Sequence, residues 1–441
     1  MTITQESKRQ WLHISMVVFA LSFRYITAPW AFLLAMSAFI HNVLLLPKYA
    51  PHLFRSRESL TQGIAVYPLM VALLILLFPN RLELAGGAWA ILAFGDGFST
   101  LIGRVKPLAP IPWNPEKSLG GLSAFVIMGS LGAFLVMAWI DDTQTYTHLC
   151  MIALCSAFTA SVFETLPLPW DDNIVVGLTA AVMVSLTWNL DISLASELIS
   201  AGWWGLALFI NICVAALAWW LRMVSATGAL SGTLVGTAIL TMGGGHLYFL
   251  LLLFFIGASA ATRLGYHEKS IMGIAQEAGG RRGAKHALAN CILALIAAVM
   301  LGMTNGLENI LSIFYCAALA TAFSDTISSE LGSIYGKNPF LPTSFRRVPA
   351  GTVGAISIEG TLFGMGAAVV FAIVSFACSV LPFPFIPAVV LGAWLGAYAE
   401  SYIGGYWTEE GTEVDNEWMN VLNTFLGGMF ALFIATITRA L

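Results

Sequence analysis

The chain is built of apolar blocks, each close to the roughly 20 residues that a helix needs to cross a bilayer, separated by short polar breaks. In hydrocarbon a backbone must satisfy its own hydrogen bonds, which a helix does within one segment. Fifteen candidate spans follow: 11–23, 28–46, 63–78, 84–103, 120–140, 148–166 and 173–190, then 198–221, 227–245, 246–265, 286–305, 309–332, 353–380, 385–405 and 417–438. The first is short and ends at Arg24. The expectation is an all-α polytopic membrane protein of about 14–15 transmembrane helices in two related halves, 1–195 and 196–441.

Composition agrees. Charged residues make up 10% of the 441 and hydrophobic ones 58%, against roughly 25% charged in a soluble domain, which excludes a water-soluble fold. A net charge of −4 implies no basic surface for nucleic acid. The six cysteines form no C-x-x-C pair and read as packing residues. The opening MTITQESKRQ and the short apolar stretch after it lack a small-residue cleavage site, unlike a removed signal peptide.

Lys and Arg set the orientation. With a cytoplasmic N-terminus, only Arg24, Arg81 and Arg439 of the twenty lie outside, and inversion reverses that ratio. Gly228, Gly232 and Gly236 form G-x-x-x-G-x-x-x-G, a spacing that lets helix backbones approach. Trp219 and Trp220 read as interfacial belt or core.

Six acids sit in apolar spans: Asp96, Glu164, Asp325, Glu330, Glu359 and Glu400. Each costs several kcal/mol there and is a functional candidate by default. They recur in a pattern. Asp96 is followed by Ser99 and Gly103, and Asp325 by Ser328 and Gly332, so carboxylate and hydroxyl share a helix face. Lys117 lies 21 residues after Asp96, and Arg346 lies 21 after Asp325. Glu164 precedes Asp172-Asn173 as Glu400 precedes Asp415-Asn416, and Arg9/His13 matches Arg282/His286. Four features in one order predict a duplication.

On the orientation above, every cluster falls at the cytoplasmic end of its span, where nucleotide and magnesium are available. Carboxylates hold Mg²⁺, and Mg²⁺ with Lys or Arg neutralises transferring phosphates. The predicted metal ligands are Asp96, Glu164, Asp325, Glu330 and Asp415. Asp96, His13, Glu164, Asp172, Asp325 and Glu400 are the candidate catalytic residues. Arg9, Ser99, Lys117, Asn173, Arg263, Lys269, Arg282, His286, Ser328, Arg346 and Arg347 are the candidate phosphate contacts. No G-x-x-x-x-G-K-[ST] loop, H-E-x-x-H or cysteine-rich metal site occurs.

GDGFSTLIGR (95–104) with IPWNPEKSLGG (111–121), KRQWLH (8–13) and FETLPLPWDDN (163–173) resembles phytol kinase and its polyprenol and dolichol kinase relatives over roughly 5–190, with Gln10 where those proteins carry Lys. Residues 225–438 resemble a second membrane family that includes the phytyl-phosphate kinase of tocopherol synthesis. The resemblance lies in GALSGTLVG (228–236), GRRGAKHALAN (280–290), SDTISSELG (324–332), VPAGTVGAISIEG (348–360) and AESYIGG (399–405). The resemblance implies a fusion of two consecutive isoprenoid kinases using CTP or another nucleoside triphosphate. Competing readings are a cytidylyltransferase, which shares an Asp…Lys signature, and a transporter, whose sites lie nearer the bilayer midplane.

Overall fold

The computed structural model describes residues 3–49, 63–111, 114–166, 171–271, 273, 280–410 and 416–438. The chain forms two compact units, Met1–Asn189 and Leu190–Leu441. Among the described residues ten helices are long and apolar enough to cross a membrane, and Ala28–Leu44, Val66–Leu77 and Asp172–Trp188 are shorter apolar helices.

The first expected span is corrected. The helix Ile3–Ser15 passes into a 3₁₀ helix, Met16–Arg24, so residues 11–23 are not one α-helical crossing. Val17, Ala20 and Phe23 are its buried residues. A spacing of three puts them on one side of a helix with three residues per turn.

The two expected spans 227–245 and 246–265 lie in one 38-residue segment, Ala226–Arg263, interrupted at Gly244. Unbroken, 38 residues would extend about 57 Å, nearly twice a hydrocarbon core of about 30 Å. Gly244 adopts φ 78°, ψ −179°, a region that essentially only glycine enters.

In each unit one helix is enclosed by the others. Leu82–Val105 is 67% buried and Glu308–Tyr335 is 72% buried, while no other candidate span exceeds 44%. Small residues make this possible: Ala85, Ala88, Ala90 and Ala93 are fully buried in the first, and Ala317, Ala318, Ala320 and Ala322 in the second. These two central helices carry Asp96 and Asp325.

Outer helices behave as lipid-facing elements. Trp203 and Trp204 at one end of Trp203–Trp220, and Trp219 and Trp220 at the other, are all exposed. Eighteen residues span about 27 Å, so the aromatic pairs fall at the two interfaces, where Trp is favoured. Among the described residues, Pro110–Ile111 pairs antiparallel with Asn114–Ser118. This short ribbon carries Lys117.

Candidate functional site

In the first unit the chain leaves the α-helix Leu82–Ala90 through a π-helical turn, Ile91–Asp96, before resuming as Gly97–Val105. The wider turn rotates the residues that follow it, a device common at functional sites. Asp96 is the last residue of the turn. Glycine flanks it because the neighbours are close: a Cβ on Gly95 would lie 2.6 Å from Phe125 Cε1, and one on Gly97 would collide with Ile14.

Three carboxylates converge there. Asp96, Glu164 and Asp172 each offer an oxygen, and the three oxygens lie within 4.8 Å of one another. Glu164 ends the helix Tyr146–Glu164, and Asp172 begins Asp172–Trp188. Lys117 pairs with Glu164 and lies 3.1 Å from Asp172 Oδ2. Burial lowers the Lys117 pKa, but Glu164 and Asp172 outweigh it and hold the ammonium above the ordinary lysine range. Asp172, a catalytic candidate on sequence, thus also joins the potential metal ligands.

His13 Nε2 stands 3.3 Å from the Leu92 carbonyl and 3.8 Å from Asp96 Oδ2. Tyr67 OH donates to the His13 carbonyl at 3.2 Å and receives Trp89 Nε1–H at 2.7 Å. Tyr67 and Trp89 carry no sequence signal apart from being aromatic residues in a span. Asp171 caps Asp172–Trp188: its carboxylate accepts the Asn173 N–H at 3.0 Å, Asn173 Nδ2–H at 2.7 Å and the Gly63 N–H at 3.1 Å. These three bonds commit Asp171 to the turn, so it is a scaffold and Asn173 its partner. Ser99 is buried and donates to the Asp96 carbonyl at 2.9 Å, which uses its hydroxyl proton within the helix.

A cavity of about 1190 Å³ opens from this cluster. Its polar wall includes Arg9, His13, Asp96, Asp171, Asp172 and Asn173; its remaining wall is largely apolar, from Phe19 and Phe23 to Val71, Ile75 and Trp89.

The second unit repeats part of this geometry. A Cβ on Gly103 would lie 3.2 Å from Gly121 Cα, and one on Gly121 would lie 3.0 Å from Ser99 O. A Cβ on Gly332 would lie 3.0 Å from Gly360 Cα, and one on Gly360 would lie 2.9 Å from Ser328 O. Ser118 caps its helix by accepting the Gly121 N–H at 3.2 Å, and Ser357 does the same for Gly360 at 3.1 Å. Ser328 donates to the Asp325 carbonyl at 2.9 Å, as Ser99 does to Asp96.

The cations do not follow the repeat. The residue before the capping serine is Lys117 in the first unit and Ile356 in the second. Arg346 and Arg347 are exposed in the loop before Ser357, so the 21-residue spacing does not make Arg346 the counterpart of Lys117. Loop length differs between the units, and spacing through a loop does not fix position.

Asp325 and Glu400 lie close enough to interact, and Asn423 Nδ2 donates to Glu400. Two carboxyl groups in contact need a shared proton or a cation between them. Glu330, an expected metal ligand, instead pairs with buried Lys269, whose ammonium also reaches the Thr262 carbonyl at 3.0 Å. Glu359, half-buried, accepts the Lys337 N–H at 3.0 Å. Arg263 is exposed and donates to the Leu221 carbonyl at 2.5 Å, closing the end of a neighbouring helix. Asp415 lies outside the described residues. Arg282 and His286 line a separate small pocket with Gly228, Gly232 and Gly236.

Residues 209–428 match the model of the family described as integral membrane protein DUF92. The chain is similar to an uncharacterised membrane protein of Synechocystis, 35% identical over 45% of this chain and 78% of the relative. It is 31% identical to the chloroplastic protein VTE6 of Arabidopsis thaliana over 48% of this chain and 65% of that protein. A probable chloroplastic phytol kinase of Triticum aestivum is 27% identical over 30% of this chain and 45% of its own length. No solved structure matches the chain.

Proposed function

The chain belongs to the integral membrane protein family DUF92, and from that premise we propose that it is an isoprenoid phosphotransferase with a phosphoryl-transfer site in each unit. The first phosphorylates a prenol and the second its monophosphate, from CTP or another nucleoside triphosphate. The observation that carries the reading is the junction in the first unit: a cluster of three carboxylates and a lysine, of which Asp96 and Asp172 line a largely apolar cavity. Such a cavity suits an acceptor with one hydroxyl and a hydrocarbon tail. The similarity to proteins named phytol kinase supports the same class.

Hard, closely spaced carboxylate oxygens suit Mg²⁺, and Asp96, Glu164 and Asp172 are the residues that would hold it. Bound there, the ion would neutralise nucleotide phosphate charge. The chain's own residues do the rest. Lys117 adds a positive charge beside the carboxylates, and Arg9 supplies another on the cavity wall. The apolar wall holds the prenol and excludes water. The prenol oxygen forms a bond to the γ-phosphorus while the bond from that phosphorus to the leaving nucleoside diphosphate breaks. His13 lines the same wall; its Nε2–H faces the Leu92 carbonyl, which leaves Nδ1 to accept the hydroxyl proton. A monophosphate acceptor is already anionic and needs no base, only charge neutralisation. In the second unit Asp325 and Glu400 take the metal-binding part.

The test is purified protein with [γ-³²P]CTP, other triphosphates, and phytol, geranylgeraniol, farnesol and their monophosphates. Label passes to the lipid if the reading holds; cytidylyl transfer would release it as pyrophosphate. Asp96→Asn is expected to lower alcohol phosphorylation by roughly 10²–10³-fold or more and spare monophosphate phosphorylation, and Asp325→Asn to do the reverse. If either change removes both activities from folded protein, the two-site reading fails.

A further inference from the structure

A second, smaller cavity of about 90 Å³ lies in the Leu190–Leu441 unit, walled by Trp203–Trp220, the Ala226–Arg263 segment and Ala284–Leu301. The space admits a tetrahedral oxyanion. Arg282 is on its wall, only 4% exposed, and makes no ion pair among the described residues. Its Nε has no hydrogen-bond partner, and its Nη2 reaches Thr262 Oγ1 only at 3.5 Å. Its guanidinium stands 5.8 Å from the Phe254 ring. His286 Nε2, on the same wall, also lacks a partner.

Burial lowers the Arg282 pKa, yet a guanidinium in a protein keeps its proton. Glu330 is the acid whose charge reaches Arg282, but it is paired with Lys269, so two buried cations outnumber one acid and the pocket favours an anion. The backbone holds the residue there: the Arg282 N–H donates to Met223 O at 3.1 Å, and its carbonyl accepts the Ser225 N–H at 3.1 Å. A Cβ on Gly228 would strike that carbonyl, so the glycine permits the approach. Gly232 is different. Nothing lies within 4 Å of where its side chain would be, so it contributes open space and not helix contact. Apolar residues, Val214, Ala218 and Leu252 among them, continue the wall.

We propose that this pocket binds the phosphomonoester of a single-chain lipid, with the phosphate on Arg282 and His286 and the hydrocarbon chain leaving past the exposed Gly232. Taking that lipid to be the prenyl monophosphate rests on the function proposed above; the anion site itself does not. Arg263 and Lys269 are not part of it, because each is committed to other partners.

Binding of radiolabelled geranylgeranyl monophosphate to the full chain in nanodiscs, without nucleotide, tests this independently of phosphoryl transfer. Saturable binding is expected, displaced weakly by inorganic phosphate and poorly by phosphatidate vesicles. Arg282→Gln is expected to weaken it about ten- to hundredfold. Gly232→Leu, which fills open space, is expected to weaken the C20 monophosphate and leave a C5 monophosphate unchanged. Unaltered binding in Arg282→Gln overturns the anion site, and equal displacement by phosphatidate overturns the single-chain assignment. If Arg282→Gln shows no cooperative thermal unfolding, Gly232→Leu decides: loss confined to the long chain supports the site, and no loss overturns it.

Discussion

Lys117 sits between one carboxylate that is 5% exposed, Glu164, and one that is 53% exposed, Asp172. Removing one member of a fully buried pair costs about 3–5 kcal/mol, but the exposure of Asp172 and of Lys117 itself reduces that through solvent screening. Lys117→Met is therefore expected to cost about 1–3 kcal/mol, read as a lower midpoint of thermal unfolding in detergent. The same change leaves three carboxylates with no cation among them. Added Mg²⁺ should then raise the unfolding midpoint more in Lys117→Met than in the wild type, because binding to the folded state stabilises it by mass action. The nucleotide KM should rise as well. An identical Mg²⁺ response in both proteins would argue that the cluster is no cation site.

At the scale of elements, the protein depends on helix approaches that only small residues permit. Gly332 and Gly360 bring Glu308–Tyr335 and Ile358–Ala377 together at the level of Ser328. Gly332→Leu inserts a side chain where a Cβ alone would already lie 3.0 Å from a backbone atom. Overpacking of this kind costs about 1–3 kcal/mol, and it shifts the helix that carries Asp325. Monophosphate phosphorylation should fall in parallel with stability, while prenol phosphorylation persists. Gly244 supplies a second test. Its backbone conformation is closed to other residues, so Gly244→Ala is expected to cost about 1–3 kcal/mol, measured by denaturant titration in mixed micelles. A neutral Gly244→Ala would show that the break at this point is not required.

At the scale of the whole molecule, the distribution of Lys and Arg predicts an orientation with the carboxylate clusters on the cytoplasmic side, and cysteine labelling tests it. Glu116 and Thr143 are exposed at opposite ends of Leu119–Ile140, a helix of 22 residues and about 33 Å. In a background lacking the native cysteines, Thr143→Cys should react with an impermeant maleimide from outside intact cells. Glu116→Cys should react only after permeabilisation. The reverse pattern would invert the protein and remove cytoplasmic nucleotide from reach of the clusters.

The membrane character and the helical architecture were legible in the sequence, because the length of an apolar run is a local property and the bilayer imposes one solution on it. So was the placement of Asp96 and Asp325 in apolar helices, since a carboxylate in an apolar span is anomalous wherever its neighbours lie. What joins those acids was not legible. Lys117 and Arg346 share a 21-residue spacing from their aspartates, yet Lys117 meets Glu164 while Arg346 is exposed in a loop. Glu330 resembles a metal ligand in sequence and is an ion-pair partner of Lys269 in space. Arg282, one of seven basic or histidine residues clustered between 263 and 286, is set apart by being buried on a cavity wall with its Nε unpartnered. Helical periodicity fixes which residues share a face, and it ends where a loop begins. Which charge meets which depends on helix packing across those loops, and on that point only the tertiary structure decides.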